Sequence, residues 1–396
     1  MTAPVLIIGG GIAGLATAYE LHRRQVPFLL LEASPRPGGV VVSERVDDWV
    51  FDGGPDSLLV QKPDGIKLCQ EIGLGDRLVS TKPPRLAFIQ RRGVLHPLPA
   101  ASVLGIPTQV APFVKTRLFT WPGKMRMGAE LFIPPRRDEA DESIASFIGR
   151  RFGQEAVDYL AEPLLAGIHA GDVDRLSLHA LFPRFGAAER KFGSLMKAFR
   201  TQMKGVKPSP DGAFKSLPDG LGEMITALVR TLPAMSIRTG TAVVSVTGGA
   251  PWRVELAGGE SLTAAAVIVC TPAVVASRLL RAALPDVATL AGEVPYASTA
   301  TVSFAFRREQ IHHSLQGSGW VVPRVERTGI LAGSWMSSKW PHRAPDGGVM
   351  LRAFVGGGRD PKALEQTDRE IVALGLKAMT PLLGITGEPL MTRVFR

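Results

Sequence analysis

Short unbroken apolar runs alternate along this chain with stretches of helical periodicity. Val5–Ile8 (VLII) and Phe28–Leu31 (FLLL) contain no polar position, the pattern of strands buried on both faces. Residues Ile12 to Arg24 between them predict a helix, and Trp49-Val50-Phe51 a further strand. Residues 85–100 alternate apolar and polar positions about Arg91-Arg92-Gly93, which predicts a hairpin. From Asp141, a candidate N-cap, Ile144, Phe147, Ile148 and Phe152 recur on one helical face, and Arg150-Arg151 suit the C-terminal end of its dipole. Helices are also expected over Glu155–Leu165, Glu189–Met203, 217–232 and Asp368–Met379, with a Pro, Gly and Lys linker over Lys204–Lys215. Strands return at Ile237–Val246, Trp252–Leu256, Val267–Val269, 299–306, 319–323, 329–335 and 349–355.

The first junction carries chemistry. Gly9-Gly10-Gly11-Ile12-Ala13-Gly14 links a strand to a helix, and Glu32 ends the next strand. In this arrangement Gly9 permits the tight turn, Gly11 lets backbone approach a pyrophosphate, and Gly14 allows close helix–strand packing. The helix N-terminus faces the phosphates, and the Glu32 carboxylate accepts from a ribose diol. NAD is the rival dinucleotide. Gly38-Gly39, which lets a second loop approach the flavin side, favours FAD. Asp52-Gly53-Gly54-Pro55-Asp56-Ser57 reads on composition as a surface turn, but its position offers backbone amides to a flavin ring.

At 396 residues, two or three domains are expected. Hydrophobic residues make up 45% and charged residues 21%, a globular balance. Net charge is +10, which suits a carboxylated substrate or a membrane surface. The cations are scattered and carry no nucleic-acid motif, so no nucleic-acid partner is expected. Cys69 and Cys270 form no disulfide framework, no metal spacing occurs, and the default compartment is the cytoplasm. No unbroken 18-residue apolar run appears, but residues 101–137 mix Phe113, Phe119, Trp121 and Phe132 with Lys115, Arg117, Lys124 and Arg126. They read either as a peripheral membrane-facing segment or as an ordinary packed helix pair.

Four segments together resemble the protoporphyrinogen oxidase and coproporphyrinogen III oxidase family of the flavin amine oxidase superfamily, in its bacterial branch. They are GGGIAG with LLLEASPRPGG, residues 51–57, residues 142–185 and residues 333–361. The resemblance runs from residue 5 to residue 396. It implies an α/β fold: a Rossmann-type FAD-binding domain with an inserted mixed-sheet substrate domain and a helical domain. The implied division is FAD-binding domain 1–84 and 211–284, substrate domain 85–100 and 285–396, and helical, membrane-facing domain 101–210. The implied activity is removal of six electrons from a porphyrinogen in haem synthesis, with molecular oxygen as acceptor and hydrogen peroxide as product. Protoporphyrinogen and coproporphyrinogen remain rival substrates, and a homodimer is compatible. An amine oxidase, a carotenoid desaturase or an inactive flavin-poor chain is the alternative.

The resemblance also implies site residues. FAD contacts fall at Gly9, Gly10, Gly11, Ile12, Ala13 and Gly14, at Glu32 and Ala33, at Gly38, Gly39 and Val40, and at Gly54, Pro55, Asp56 and Ser57. Val243 matches a position whose backbone meets the adenine. Arg85 matches an arginine that pairs with a substrate propionate, and its bland reading is a surface charge beside Pro83-Pro84. Gly167 matches a glycine near the reacting face, and Val321 an apolar wall position. Ser318 departs from a phenylalanine found in some members. No catalytic acid–base pair is evident, and the histidines read as structural. The resemblance implies a glycine-rich segment after a sequence like Glu388–Arg396, so a truncated form of a longer protein, with weak FAD retention and an exposed apolar sheet edge, is expected.

Overall fold

The computed structural model describes residues 3–99, 102–103, 106–107, 109–136, 138, 140–166, 169–202 and 211–396. They form two compact units, Met1–Ser80 with Ala213–Tyr296 and Thr81–Gly212 with Ala297–Arg396. The fold is α/β, as the alternation of strands and helices predicts.

The first unit is built on a parallel sheet in the order Ile237–Arg238, Phe28–Leu31, Val5–Ile8, Ala266–Val269. Its central strand is apolar at every position because both faces are covered. Ile7 packs with Leu15 and Ala18 of the helix Ile12–Arg23 and with Met224 and Leu228 of the helix Gly222–Thr231. Leu6 and Ile8 turn to the other face, against Val246, Val254 and Ala264 of the antiparallel sheet Val243–Gly248, Trp252–Leu256, Ser261–Ala264. Asp52, in the glycine-rich loop, anchors a helix start: its Oδ1 accepts from Ser43 Oγ at 2.7 Å and from Leu221 N at 3.2 Å.

Three local expectations differ here. The helix expected over 217–232 spans Gly222–Thr231. The linker ends in a strand, Phe214–Ser216, paired with Leu58–Leu59 and Val79–Ser80; runs this short leave no periodicity to read. The helices Ala273–Leu280 and Pro285–Gly292 were not signalled.

The second unit is a seven-stranded mixed sheet in the order Met391–Phe395, Thr299–Arg307, Gly348–Gly356, Ile330–Trp335, Gly319–Val321, Ala87–Arg91, Val94–Pro97. All neighbours are antiparallel except Gly319–Val321 with Ala87–Arg91. One face packs Phe304, Trp320 and Leu351 with Ile371, Met379 and Leu383 of the helix Asp368–Leu383, which ends at Gly384 with φ 60. The other presents Ile89 and Val321 to a helical core of Phe147, Phe152, Phe185 and Phe199.

The helices of this layer depart from the periodic reading at polar and glycine positions. Ser143, not Asp141, caps Ile144–Phe152, its Oγ accepting from Ser146 N at 3.1 Å. Asp141 Oδ1 accepts from His179 N instead, at 3.1 Å. The 155–165 segment is a turn of α-helix, Gln154–Ala156, running into a π-helix over Val157–Ala166 that holds Pro163. The expected helix Glu189–Met203 is two, Pro183–Phe192 and Leu195–Gln202, broken where Gly193 takes φ 68.

That break is fixed by a buried ion pair. Arg151 and Glu130 side chains are 0% exposed and hydrogen-bonded to each other. Arg151 also donates to Ile133 O at 2.9 Å and Gly193 O at 2.8 Å, while Glu130 Oε1 accepts from Leu195 N at 2.9 Å. A pair so enclosed offsets its own desolvation at best, but removing one partner strands the other. Arg151→Met is therefore expected to destabilise the second unit by about 3–5 kcal/mol, read as a lower urea midpoint.

Candidate functional site

The site in the first unit starts from backbone that only glycine can supply. Gly9 leaves the strand Val5–Ile8 with φ 105, and a Cβ there would lie 2.9 Å from Cys270 O. A Cβ on Gly14 would lie 1.9 Å from Gly9 O, so the helix approaches the turn at backbone distance. A Cβ on Gly11 would meet nothing within 4 Å and would project into open space. The helix Ile12–Arg23 has no side-chain cap, and its first N–H groups have no intrahelical acceptor. Together with the dipole they make a seat for an anion.

A second glycine loop lies against the first. Gly38 N donates to Gly10 O at 2.7 Å, and a Cβ on Gly39 would lie 3.3 Å from Gly11 Cα. Gly38 and Gly39 both have positive φ, 108 and 57. Val40 follows, largely exposed, and its carbonyl packs so closely on Gly54 that a Cβ there would lie 1.8 Å away. Pro55 is exposed and Asp56 buried, with Asp56 O accepting from Ser216 Oγ at 2.7 Å. Gly54 thus packs directly under the Val40 carbonyl.

Glu32 is held on both oxygens. Oε2 accepts from Gly10 N at 2.6 Å, and Oε1 from Ser34 N at 2.8 Å and Ser34 Oγ at 2.7 Å. Burial pushes its pKa up, but these hydrogen bonds and the charge of Arg36 outweigh burial and hold it below the usual carboxylate value. It is an anion, an acceptor only, at neutral pH. Ser34 Oγ has one proton and two acceptors in reach, Glu32 Oε1 and Arg36 O at 2.6 Å. Turning that proton to Arg36 O frees an acceptor site on Oε1, and Oε2 keeps a second lone pair beside its bond from Gly10 N, which suits a vicinal diol.

A third segment completes the enclosure. Glu32 N donates to Arg238 O at 2.9 Å, Thr241 N to Glu32 O at 2.8 Å and Gly240 N to Ser34 O at 2.9 Å. These bonds carry Thr241 and Val243 to the Glu32 arm. Opposite them, Cys270 N donates to Ile8 O at 2.8 Å, which sets Thr271 and Pro272 beside Gly9. The result is a cavity of about 500 Å³ at the carboxyl ends of the parallel strands. Gly9, Gly11, Ile12 and Ala13 line one side, and Glu32, Ala33 and Gly38–Val40 another. Val243 lines it, and so do Thr241, Cys270, Thr271, Pro272, Val275 and Leu279, which the sequence does not single out. The available signal was a buried strand, Val267–Val269, returning to the sheet and ending in Cys270-Thr271-Pro272; ligands sit at such strand ends.

These residues fit FAD. The anion seat is at Gly11–Ala13, the diol acceptor at Glu32, and the largely apolar remainder suits a ring system. Among the described residues no cluster of three or more His, Cys, Asp or Glu is placed to hold a metal ion. Cys69 is buried, and burial with the nearby Glu223 pushes its thiol up to about 11, so it is an inert core residue.

The remaining candidates lie in the second unit. Arg85 is exposed, two residues ahead of the strand Ala87–Arg91, and Val321 is half-buried on the neighbouring strand, facing Ile89. Ser318 N donates to Leu86 O at 2.8 Å, so Arg85, Ser318 and Val321 belong to one strand pair. Arg85 Nε donates to Thr81 O and Thr81 Oγ1, both at 3.1 Å, and among the described residues its terminal NH2 groups make no hydrogen bond. Gly167 lies outside the described residues.

A glycine turn between parallel strand and helix, an acid on the second strand and a cavity at the strand ends define a dinucleotide-binding protein. The sequence matches the family described as flavin containing amine oxidoreductase over residues 12–396. It is 36% identical to the coproporphyrinogen III oxidase of Bacillus subtilis, over 99% of this chain and 85% of that protein. It is 34% identical to the coproporphyrinogen III oxidase of Staphylococcus aureus, over 100% and 87%. A crystal structure from Exiguobacterium, provisionally named a protoporphyrinogen oxidase, superposes with a TM-score of 0.87 at 33% identity, over 100% of this chain and 86% of that one. Reduced UDP-galactopyranose mutase shares the fold, with a TM-score of 0.74 at 15% identity. This chain belongs to the flavin containing amine oxidoreductase family, in the branch of the porphyrinogen oxidases, and its cofactor is FAD.

Two glycines separate folding from cofactor binding. Gly14→Ala is expected to lower the melting temperature of the cofactor-free protein, because the new methyl has no space. Gly11→Ala is expected to leave that temperature within about 1 °C and to weaken FAD about tenfold, read by titrating flavin fluorescence, because its methyl enters only the cavity.

Proposed function

We propose that this protein oxidises coproporphyrinogen III to coproporphyrin III, with molecular oxygen as acceptor. The observation that carries this reading is the near full-length similarity to three coproporphyrinogen III oxidases at 32–36% identity. The protoporphyrinogen oxidases of tobacco and Arabidopsis chloroplasts stand lower, at 27% and 29%. Conversion removes six electrons and six protons, so three molecules of oxygen become three of hydrogen peroxide. FAD supplies the two-electron chemistry when bound.

The chain's own residues bind and orient. Gly9 to Gly14, Glu32 and Ala33, Gly38 to Val40, Gly54 to Ser57 and Val243 hold the dinucleotide. In the second unit, Arg85 takes a propionate: Nε is anchored on Thr81, which leaves the terminal NH2 pair for a bidentate carboxylate. Val321 offers an apolar wall on the adjoining strand, and Gly167 is retained as a proposed contact. Among the described residues lining the cavity in the first unit there is no histidine or lysine, which suits a role in placement.

Peripheral membrane contact is also proposed for the helical layer. Phe132 is 87% exposed, Met125 75% and Trp121 65%, and Lys124 Nζ lies 4.5 Å from the Trp121 ring. Lys115, Arg117 and Arg126 are exposed in the same segment. No helix of the described residues is long and apolar enough to cross a membrane. An apolar set with a cationic rim is suited to lie on an anionic surface.

Oxygen uptake by the FAD-loaded protein is expected at three moles per mole of coproporphyrin formed, with kcat/KM higher for coproporphyrinogen III than for protoporphyrinogen IX. Arg85→Ala is expected to raise KM about tenfold with kcat little changed. An unchanged KM removes Arg85 from the site; preference for protoporphyrinogen overturns the substrate. In sedimentation with vesicles containing phosphatidylglycerol, Phe132→Asp is expected to cut the bound fraction severalfold, and equal binding by variant and parent refutes membrane contact.

A further inference from the structure

The second unit contains a cavity that none of the roles above uses. It measures about 370 Å³ and lies between the turn after the strand Ala87–Arg91, the loop Glu326–Gly329 and the helix Asp368–Leu383. Gln90 lines it. This residue is 5% exposed, and its Oε1 is buried with no hydrogen-bond partner among the described residues. Along its strand it alternates with Ile89, which packs into the helical core on the opposite face. A buried carbonyl without a donor bears its desolvation cost uncompensated. It marks a position where a donor from outside would be received.

The rest of the cavity says what carries that donor. Leu374, Ala378, Pro381 and Leu382 give it an apolar wall. Arg327 and Lys377 stand exposed at its rim, and neither forms an ion pair among the described residues. Arg327 is held in the left-handed region, φ 51, at the end of the turn Arg324–Glu326. Glu326 also lines the cavity, and its carboxylate is 3.4 Å from Tyr159 Oη. Two cations against one anion leave the rim positive. The occupant must therefore bring an anion to the rim, an apolar body to the wall and a hydrogen-bond donor to the floor. An aromatic N–H suits the floor best, because it donates without adding an acceptor that would itself go unsatisfied.

We propose that this cavity binds a heteroaromatic carboxylate with a ring N–H. The carboxylate rests on Arg327 and Lys377, the ring against Leu374 and Pro381, and the N–H donates to Gln90 Oε1. The site stands whether or not a porphyrinogen is the substrate.

Calorimetry on the FAD-loaded protein tests it with two probes, indole-3-propionate and its 1-methyl derivative, which lacks the N–H. Saturable binding of indole-3-propionate at one site per chain is expected, with the methylated probe about tenfold weaker. In Gln90→Leu that difference is expected to vanish, and in Arg327→Ala/Lys377→Ala both probes are expected to weaken about tenfold. Absence of saturable binding, equal affinity of the two probes for the parent protein, or discrimination that survives in Gln90→Leu overturns the proposal. Should Gln90→Leu fail to fold, the two probes on the parent protein decide the matter.

Discussion

The contact on which the cofactor site depends is between two backbones. Gly9 O occupies the place that a Cβ on Gly14 would take, 1.9 Å away. No side chain separates the helix from the turn that starts it, so the helix N-terminus is delivered to the end of the parallel sheet. Gly38 and Gly39 extend the same logic to a second loop, which hydrogen-bonds Gly10 and approaches Gly11 at Cα distance. Gly54 beneath Val40 is a third instance. Each contact spends conformational entropy that glycine loses on folding, and each places amide groups where anionic or flat ligand atoms can reach them.

Around that contact the cavity is assembled from four chain segments whose order in sequence is far from their order in space. Bonds from Arg238, Gly240 and Thr241 to the Glu32–Ser34 arm import one wall, and the parallel pairing of Val5–Ile8 with Ala266–Val269 imports the other. Glu32 is the pivot. Its carboxylate is oriented by Gly10 and Ser34, and a single hydroxyl proton on Ser34 has two alternative acceptors. The Glu32 carboxylate is thus oriented by the protein's own amides and the Ser34 hydroxyl, not by open solvent.

Much of this was legible beforehand. The glycine spacing, the two apolar runs and Glu32 state a dinucleotide fold locally, because every constraint involved acts within about thirty residues of chain. The fold class and the cofactor follow from them. What escaped was set by contacts distant in sequence. Thr241 and Thr271 carry no motif and reach the cavity only through strand pairing. The helix expected through residue 203 breaks at Gly193 because a buried guanidinium, Arg151, requires that carbonyl. Asp141 has the composition of a cap, yet Ser143 caps the helix and Asp141 bonds His179.

The sequence by itself therefore determined the parallel strand pair, the glycine turn and the acid on the second strand, since short-range sterics and hydrophobic periodicity suffice for those; the family came from the resemblance of four segments. Only the tertiary structure decided which returning segments wall the cavity and that Gly54 packs under the Val40 carbonyl. It also decided that Gln90 is left facing an apolar hollow. Those outcomes turn on hydrogen bonds and burial between residues remote in sequence, and local pattern carries no record of partners that meet only when the chain is folded.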